Sequence, residues 1–128
     1  MIRHLLIATG VLCAATSASY AQDAAAGEKV FAVCKACHQI GENAKNGVGP
    51  NLNGVIGRAA GSVAGYAYSD ANKKSGITWD EATFKEYIAD PKAKVPGTKM
   101  TYAGLKDQQK VNDLLAYLKQ FGADGKKK

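Results

Sequence analysis

Cys34-Lys35-Ala36-Cys37-His38 is the stretch of this chain whose residue types and spacing most directly imply chemistry. Two thiols three positions apart can each add across a vinyl group of a haem, and the imidazole that follows can ligate the iron from one axial face. Three other chemistries share such cysteines. A structural zinc needs about four protein ligands, whereas this cluster offers three on adjacent turns with no second group elsewhere. A dithiol redox pair belongs after a strand in a βαβ unit, and the flanks here read as helix and then glycine-rich loop. A structural disulfide is possible in an oxidising compartment, but it leaves His38 and the long loop after it without a role.

The residues before this motif read as an export signal. Arg3 supplies the positive end, Leu5 to Ala15 is a short apolar run, and Ser19-Tyr20-Ala21 is a small-x-small cleavage site. The run is shorter than a bilayer span, and Leu12 occupies the place where a lipid anchor at Cys13 would need a small residue. The chain is thus expected to divide into a signal peptide, residues 1–21, and one domain, residues 22–128, located in the periplasm. Cleavage removes Met1, His4 and Cys13. The remaining soft or imidazole iron-binding side chains are Cys34, Cys37, His38 and Met100, a set that one haem would account for.

The formal charge of the whole chain is +6, and the loss of Arg3 lowers it to +5. Lysines are spread along the chain and end in Lys126-Lys127-Lys128. Most of them read as a solvated surface. No basic-aromatic stripe or nucleic-acid motif is present, and an exported basic protein fits an acidic protein partner, with charge complementarity speeding encounter and release.

Helices must position the motif. Gly27, Val30, Phe31 and Cys34 repeat at helical spacing, which predicts a helix over Ala24 to Lys35. Val111, Leu114, Leu115 and Leu118 predict a second over Asp107 to Phe121. Thr78-Trp79-Asp80-Glu81 reads as a capping box that opens a third, with Phe84, Tyr87 and Ile88 inward. Asp90-Pro91 should end it, since the residue before proline avoids the helical region. Residues 41 to 76 are rich in glycine, with Pro50 among them and Ser69 placed to cap one short helix. No alternating strand pattern and no internal repeat appears. So long a loop is unusual in a domain unless it wraps a large apolar ligand that replaces part of the core.

Read in order, these segments resemble a known family over residues 24 to 121. Gly27-Glu28-Lys29-Val30-Phe31 precedes the cysteine motif. Gly49-Pro50-Asn51-Leu52 and Gly57-Arg58 follow it, then Tyr66-Ala67-Tyr68-Ser69-Asp70-Ala71-Asn72-Lys73 and Thr78-Trp79. Asp90-Pro91, Pro96-Gly97-Thr98-Lys99-Met100 and Leu114-Leu115-Ala116-Tyr117-Leu118-Lys119 complete the match. The chain resembles a class I cytochrome c, the soluble monohaem kind of bacteria and mitochondria.

The resemblance implies an all-α fold, three main helices with short helices and glycine-rich loops around one covalent haem c. The first and last helices would cross near Gly27, with Phe31 against Leu114 and Tyr117. Cys34 and Cys37 would carry the thioether bonds, and His38 and Met100 would be the axial iron ligands. The Pro50 carbonyl would accept from the His38 imidazole. Tyr87 would donate to the Met100 sulfur, with Asn72 and Thr98 beside it around an internal water. Arg58, Tyr68, Ser69 and Trp79 would hold the haem propionates, carboxylates that need donors when buried.

By the same resemblance the partner-docking face is the haem edge, ringed here by Lys35, Lys92, Lys99 and Lys106. Val33, Ala93 and Asp107 stand where the mitochondrial pattern has lysines, Tyr102 replaces a phenylalanine, and Asn46 replaces a histidine that braces the loop. The expected function is electron transfer rather than enzymatic catalysis: a monomer whose iron alternates between Fe(II) and Fe(III). It would carry electrons from a quinol-oxidising cytochrome bc-type complex to a terminal oxidase or photosynthetic reaction centre. The competing reading is a haem peroxidase or gas-binding sensor. It needs an open sixth position and distal polar groups, and no second histidine remains after cleavage to serve as an acid-base group.

Overall fold

The computed structural model describes residues 10–11 and 22–128. The expected signal peptide lies outside the described residues apart from Gly10 and Val11. The architecture is all-α. Helix α1 spans Ala24–Phe31, α2 Asp70–Lys74, α3 Glu81–Ala89, α4 Pro91–Lys94 and α5 Gln108–Lys119, with a 3-10 turn at Cys34–Ala36. Among the described residues the only extended pairings are two isolated bridges, Ala59 with Thr78 and Phe121 with Lys127. No described helix is long and apolar enough to cross a membrane.

Each α-helix begins on a side-chain cap. The side chains of Asp23, Ser69, Asp80, Asp90 and Asp107 accept from the N–H groups of Ala26, Asn72, Thr83, Ala93 and Lys110, satisfying donors that a helix start leaves free. The third helix therefore departs from the expected capping box: Asp80, not Thr78, is its cap. Thr78 pairs with Ala59, the Trp79 N–H donates to the Arg58 carbonyl at 2.9 Å, and the Gly57 N–H donates to the Trp79 carbonyl at 2.7 Å. These bonds hold residues 78 and 79 extended, and the helix starts only beyond them. Asp90 ends α3 and caps α4, with Pro91 in the first turn, where its missing N–H costs nothing.

Helix α1 ends at Phe31, four residues before the spacing predicts. The Ala32 N–H reaches only the Lys29 carbonyl, and the N–H groups of Cys37 and His38 both donate to the Cys34 carbonyl, at 3.1 and 2.9 Å. The 3-10 turn places Cys34 and Cys37 three residues apart on one side of the chain.

Helices α1 and α5 cross at Gly27, where an added Cβ would overlap the Asp113 carbonyl and crowd the Tyr117 Cβ. Phe31 lies against Tyr117 with ring centroids 5.3 Å apart. Phe31, Val111, Leu114, Leu115 and Leu118 are all at most 2% exposed, each such side chain contributing about 1.5–3 kcal/mol on burial. Asp113, a buried carboxylate between the two helices, accepts from the Asp23 N–H at 3.0 Å and from the Gln109 amide at 2.8 Å.

Candidate functional site

The loops between α1 and α5 do not close on themselves. They enclose a cavity of about 480 Å³. Cys34, Cys37, His38, Pro50, Arg58, Tyr68, Ser69, Asn72, Trp79, Tyr87, Thr98 and Met100 all line it. Every cofactor-binding and metal-ligating residue expected from sequence therefore meets in one place, although they span 67 positions of chain. The remaining wall is mainly apolar, from Phe31, Leu52, Val55, Phe84, Ile88, Leu114 and Leu118.

His38 is oriented by the loop that follows it. Its Nδ1 donates to the Pro50 carbonyl at 2.7 Å, which puts the proton on Nδ1 and leaves the Nε2 lone pair free. The Gly49 N–H donates to the Cys37 carbonyl at 2.8 Å, and residue 49 lies so close to the imidazole that a Cβ there would strike the ring. Burial lowers the His38 pKa, the Pro50 bond opposes that shift and the Arg58 charge adds to it. A neutral imidazole is the form that binds a metal.

Cys34 is half-buried, Cys37 is exposed, and no disulfide joins them. Burial first, and then the neighbouring Cys37, push the Cys34 pKa up, opposite to the depressed value of a reactive dithiol redox centre. Among the described residues no group of three or more His, Cys, Asp and Glu side chains is arranged to hold a metal ion alone.

Met100 sits in a ring of hydrogen bonds. Its N–H donates to the Thr98 hydroxyl at 3.3 Å, the Thr98 and Tyr87 hydroxyls lie 3.2 Å apart, and the Tyr87 hydroxyl donates to the Met100 sulfur at 3.8 Å. Burial raises the Tyr87 pKa. Trp79 packs on Tyr87 with centroids 4.7 Å apart.

Among the described residues two buried side-chain polar atoms have no hydrogen-bond partner, Arg58 Nε and Asn72 Oδ1, and both belong to residues of this cavity. Arg58 Nη1 is held by the carbonyls of Asn51 and Asn53 at 3.1 and 2.9 Å. The Tyr68 hydroxyl accepts from the Val63 N–H, and the Ser69 hydroxyl accepts from the Asn72 N–H. Each hydroxyl keeps a hydrogen to donate. An apolar chamber with two thiols, a neutral imidazole and a thioether on its wall, and with donors at its polar fringe, fits a haem and its carboxylates.

Several residues not expected from sequence to contact the cofactor also lie at the site. Tyr66 lines the cavity, donates to the Val48 carbonyl at 2.7 Å and meets Tyr68 edge-on at 4.8 Å. Val33 and Val48, 65% and 76% exposed, also border it. Asn46 braces the loop in its own way: its amide donates to the Ala64 carbonyl, and its Oδ1 accepts from both the backbone and side chain of Asn51 at 3.0 Å. Of the four lysines expected at the docking face, all are exposed, and only Lys99 borders the cavity. Lys99 donates to the Ala67 carbonyl at 3.1 Å. Lys106 donates to the carbonyl of Ala89, the last residue of α3.

A helical shell around one apolar chamber, with a Cys-x-x-Cys-His turn in its wall, defines a protein that holds haem covalently. The comparisons agree: the Cytochrome c family model matches residues 24–122. The chain is 61% identical to cytochrome c2 of Blastochloris viridis over 127 residues, 99% of this chain and all of that one. It is 63% identical to cytochrome c-550 of Bradyrhizobium diazoefficiens over 103 residues, 80% of this chain and 76% of that one. Cytochrome cH from Methylobacterium extorquens has a similar structure, with a TM-score of 0.73 and 62% identity, covering 77% of this chain and 98% of that one. The chain belongs to the cytochrome c family. It is a class I monohaem cytochrome c, an iron-binding electron-transfer protein carrying covalently attached haem c.

Proposed function

We propose that this protein is a periplasmic electron carrier, exported by the signal at residues 1–21, with residues 22–128 as its single working domain. Cys34 and Cys37 would anchor the haem, and His38 and Met100 would ligate its iron. Bound haem supplies one-electron chemistry between Fe(III) and Fe(II). The observation that carries the reading is the Nδ1 bond of His38 to the Pro50 carbonyl, which leaves Nε2 as a ligand in the cavity that Met100 also lines.

The chain's own groups do the rest. Tyr87 and Thr98 hold the Met100 side chain, and a thioether favours the reduced metal. The unpartnered Asn72 Oδ1 accepts from an internal water near them. Arg58, Tyr68, Ser69 and Trp79 donate to the propionates, and the apolar wall excludes solvent. With His38 and Met100 both committed to the iron, the protein would offer a substrate no place there and would serve as a carrier and not an enzyme. It acts as a monomer, presenting Lys35, Lys92, Lys99 and Lys106 to acidic faces of membrane-bound redox complexes. The donor is a quinol-oxidising cytochrome bc-type complex, and the acceptor is a terminal oxidase or a photosynthetic reaction centre.

The test is rapid mixing of reduced holoprotein with membranes that contain a terminal oxidase or reaction centre, at rising ionic strength. Oxidation that slows steeply with salt supports a docking face built on charge. A rate indifferent to salt contradicts it.

A further inference from the structure

Asn53 uses all of its polar groups. Its side-chain amide pairs with both polar groups of the Gly41 peptide unit: the Gly41 N–H donates to Oδ1 at 2.8 Å, and Nδ2 donates to the Gly41 carbonyl at 2.9 Å. Its own N–H donates to Asn51 Oδ1 at 3.2 Å, and its carbonyl accepts from Arg58 Nη1 at 2.9 Å. On both sides the surroundings are tight. Gly54 follows with φ +59°, packed against Ala123, and an added Cβ on Gly125 would overlap Gly41. The carbonyl that holds Arg58 thus belongs to a residue whose own side chain is fixed at both polar atoms to the Gly41 peptide unit.

Arg58 is the beneficiary. Its Nη1 is committed to the carbonyls of Asn51 and Asn53, while its buried Nε has no partner in the protein. We propose that Asn53 is a positioning residue for the Arg58 guanidinium, holding it so that Nε remains the donor for the anionic edge of the cofactor. This rests on the haem reading above. A fixed positive charge in that place favours the reduced cofactor, which carries one more electron, and the benefit shrinks if the guanidinium swings toward water.

The experiment is a double-mutant cycle read as midpoint potential on the full holoprotein, using Asn53→Ala, Arg58→Gln and both together. Asn53→Ala is expected to lower the reduced-to-oxidised ratio at a fixed ambient potential by about threefold, the scale of one lost hydrogen bond. In the Arg58→Gln background the same change is expected to have no effect. Asn53→Ser, a milder variant, carries the cycle if the alanine form loses its haem. Proton exchange at Arg58 Nε–H, followed by NMR, should quicken in either Asn53 variant. Equal potential shifts in both backgrounds, or no shift at all, overturn the role of Asn53. A wild-type chain with no covalent haem overturns the cofactor reading instead, and the proposal with it.

Discussion

The imidazole of His38 and the carbonyl of Pro50, 2.7 Å apart, join the cysteine turn to the glycine-rich loop and fix which ring nitrogen is left for a metal. Gly49 makes that approach possible, because a Cβ there would strike the ring. Gly49→Ala should tilt the imidazole and cost about 1–3 kcal/mol of strain. The expected result is a lower yield of haem-loaded protein and a lower unfolding midpoint in denaturant. An unchanged yield and midpoint would show that the ring has room to move.

Tyr87 and Met100 form the second pairing. Tyr87→Phe keeps the ring packed on Trp79 but removes the donor to the sulfur. A donor draws electron density from the thioether, so its loss should lower the midpoint potential by the equivalent of about 0.5–1 kcal/mol. Redox titration of the two proteins side by side reads the shift. A potential that rises would mean the hydroxyl acts through something other than the sulfur.

The crossing at Gly27 makes a prediction about stability alone. Gly27→Val would force α1 away from the Asp113 carbonyl and Tyr117, and the loss should reach about 3 kcal/mol or more. Urea unfolding checks it, with an unchanged midpoint as the contrary outcome.

Acid should expose the cap of α3. The Thr83 N–H, donating to Asp80 Oδ1 at 2.7 Å, and then the Thr83 side chain, hold the Asp80 carboxyl below its ordinary range. A carboxyl with a depressed pKa stabilises the fold above its unfolded value and loses that contribution as pH falls through its folded value. Asp80→Ala should therefore lower Tm at neutral pH, with the difference from wild type shrinking below about pH 4. A Tm difference independent of pH would mean the charge of Asp80 is irrelevant.

Two docking lysines should separate in their effects. Lys106 bonds to the carbonyl that ends α3, whereas Lys35 is an exposed side chain on the 3-10 turn. Lys35→Glu should slow electron transfer to an acidic partner at low salt and leave stability within about 0.5 kcal/mol of wild type. Lys106→Glu should slow transfer and also lower Tm. Equal Tm values would show that the Ala89 contact contributes nothing.

The cysteine turn, helices α1 and α5 and the inner face of α3 were legible because each rests on local spacing: Val111, Leu114, Leu115 and Leu118 can bury together only on a helix. Met100 stood out as the one methionine left after cleavage, but the roles of Pro50 and Arg58 were legible only through family resemblance, since nothing local distinguishes Pro50 from any loop proline. What escaped was tertiary. Thr78 has every local mark of a cap, yet its pairing with Ala59 keeps it extended. The end of α1 at Phe31, with a separate 3-10 turn at Cys34–Ala36, has no counterpart in the helical spacing, which runs on unbroken to Cys34. The ties among Asn46, Asn51, Asn53 and Gly41 join separate stretches of loop and carry no periodicity at all.

The most direct measurement is the absorption spectrum of the purified exported protein, oxidised and then reduced under carbon monoxide. A haem bound through Cys34 and Cys37, with His38 and Met100 on its iron, predicts a weak far-red sulfur-to-iron band in the oxidised form and no change on adding carbon monoxide. Absence of that band, with prompt carbon monoxide binding, would mean that Met100 leaves the iron open, and it would contradict the electron-carrier account in favour of a peroxidase or gas sensor.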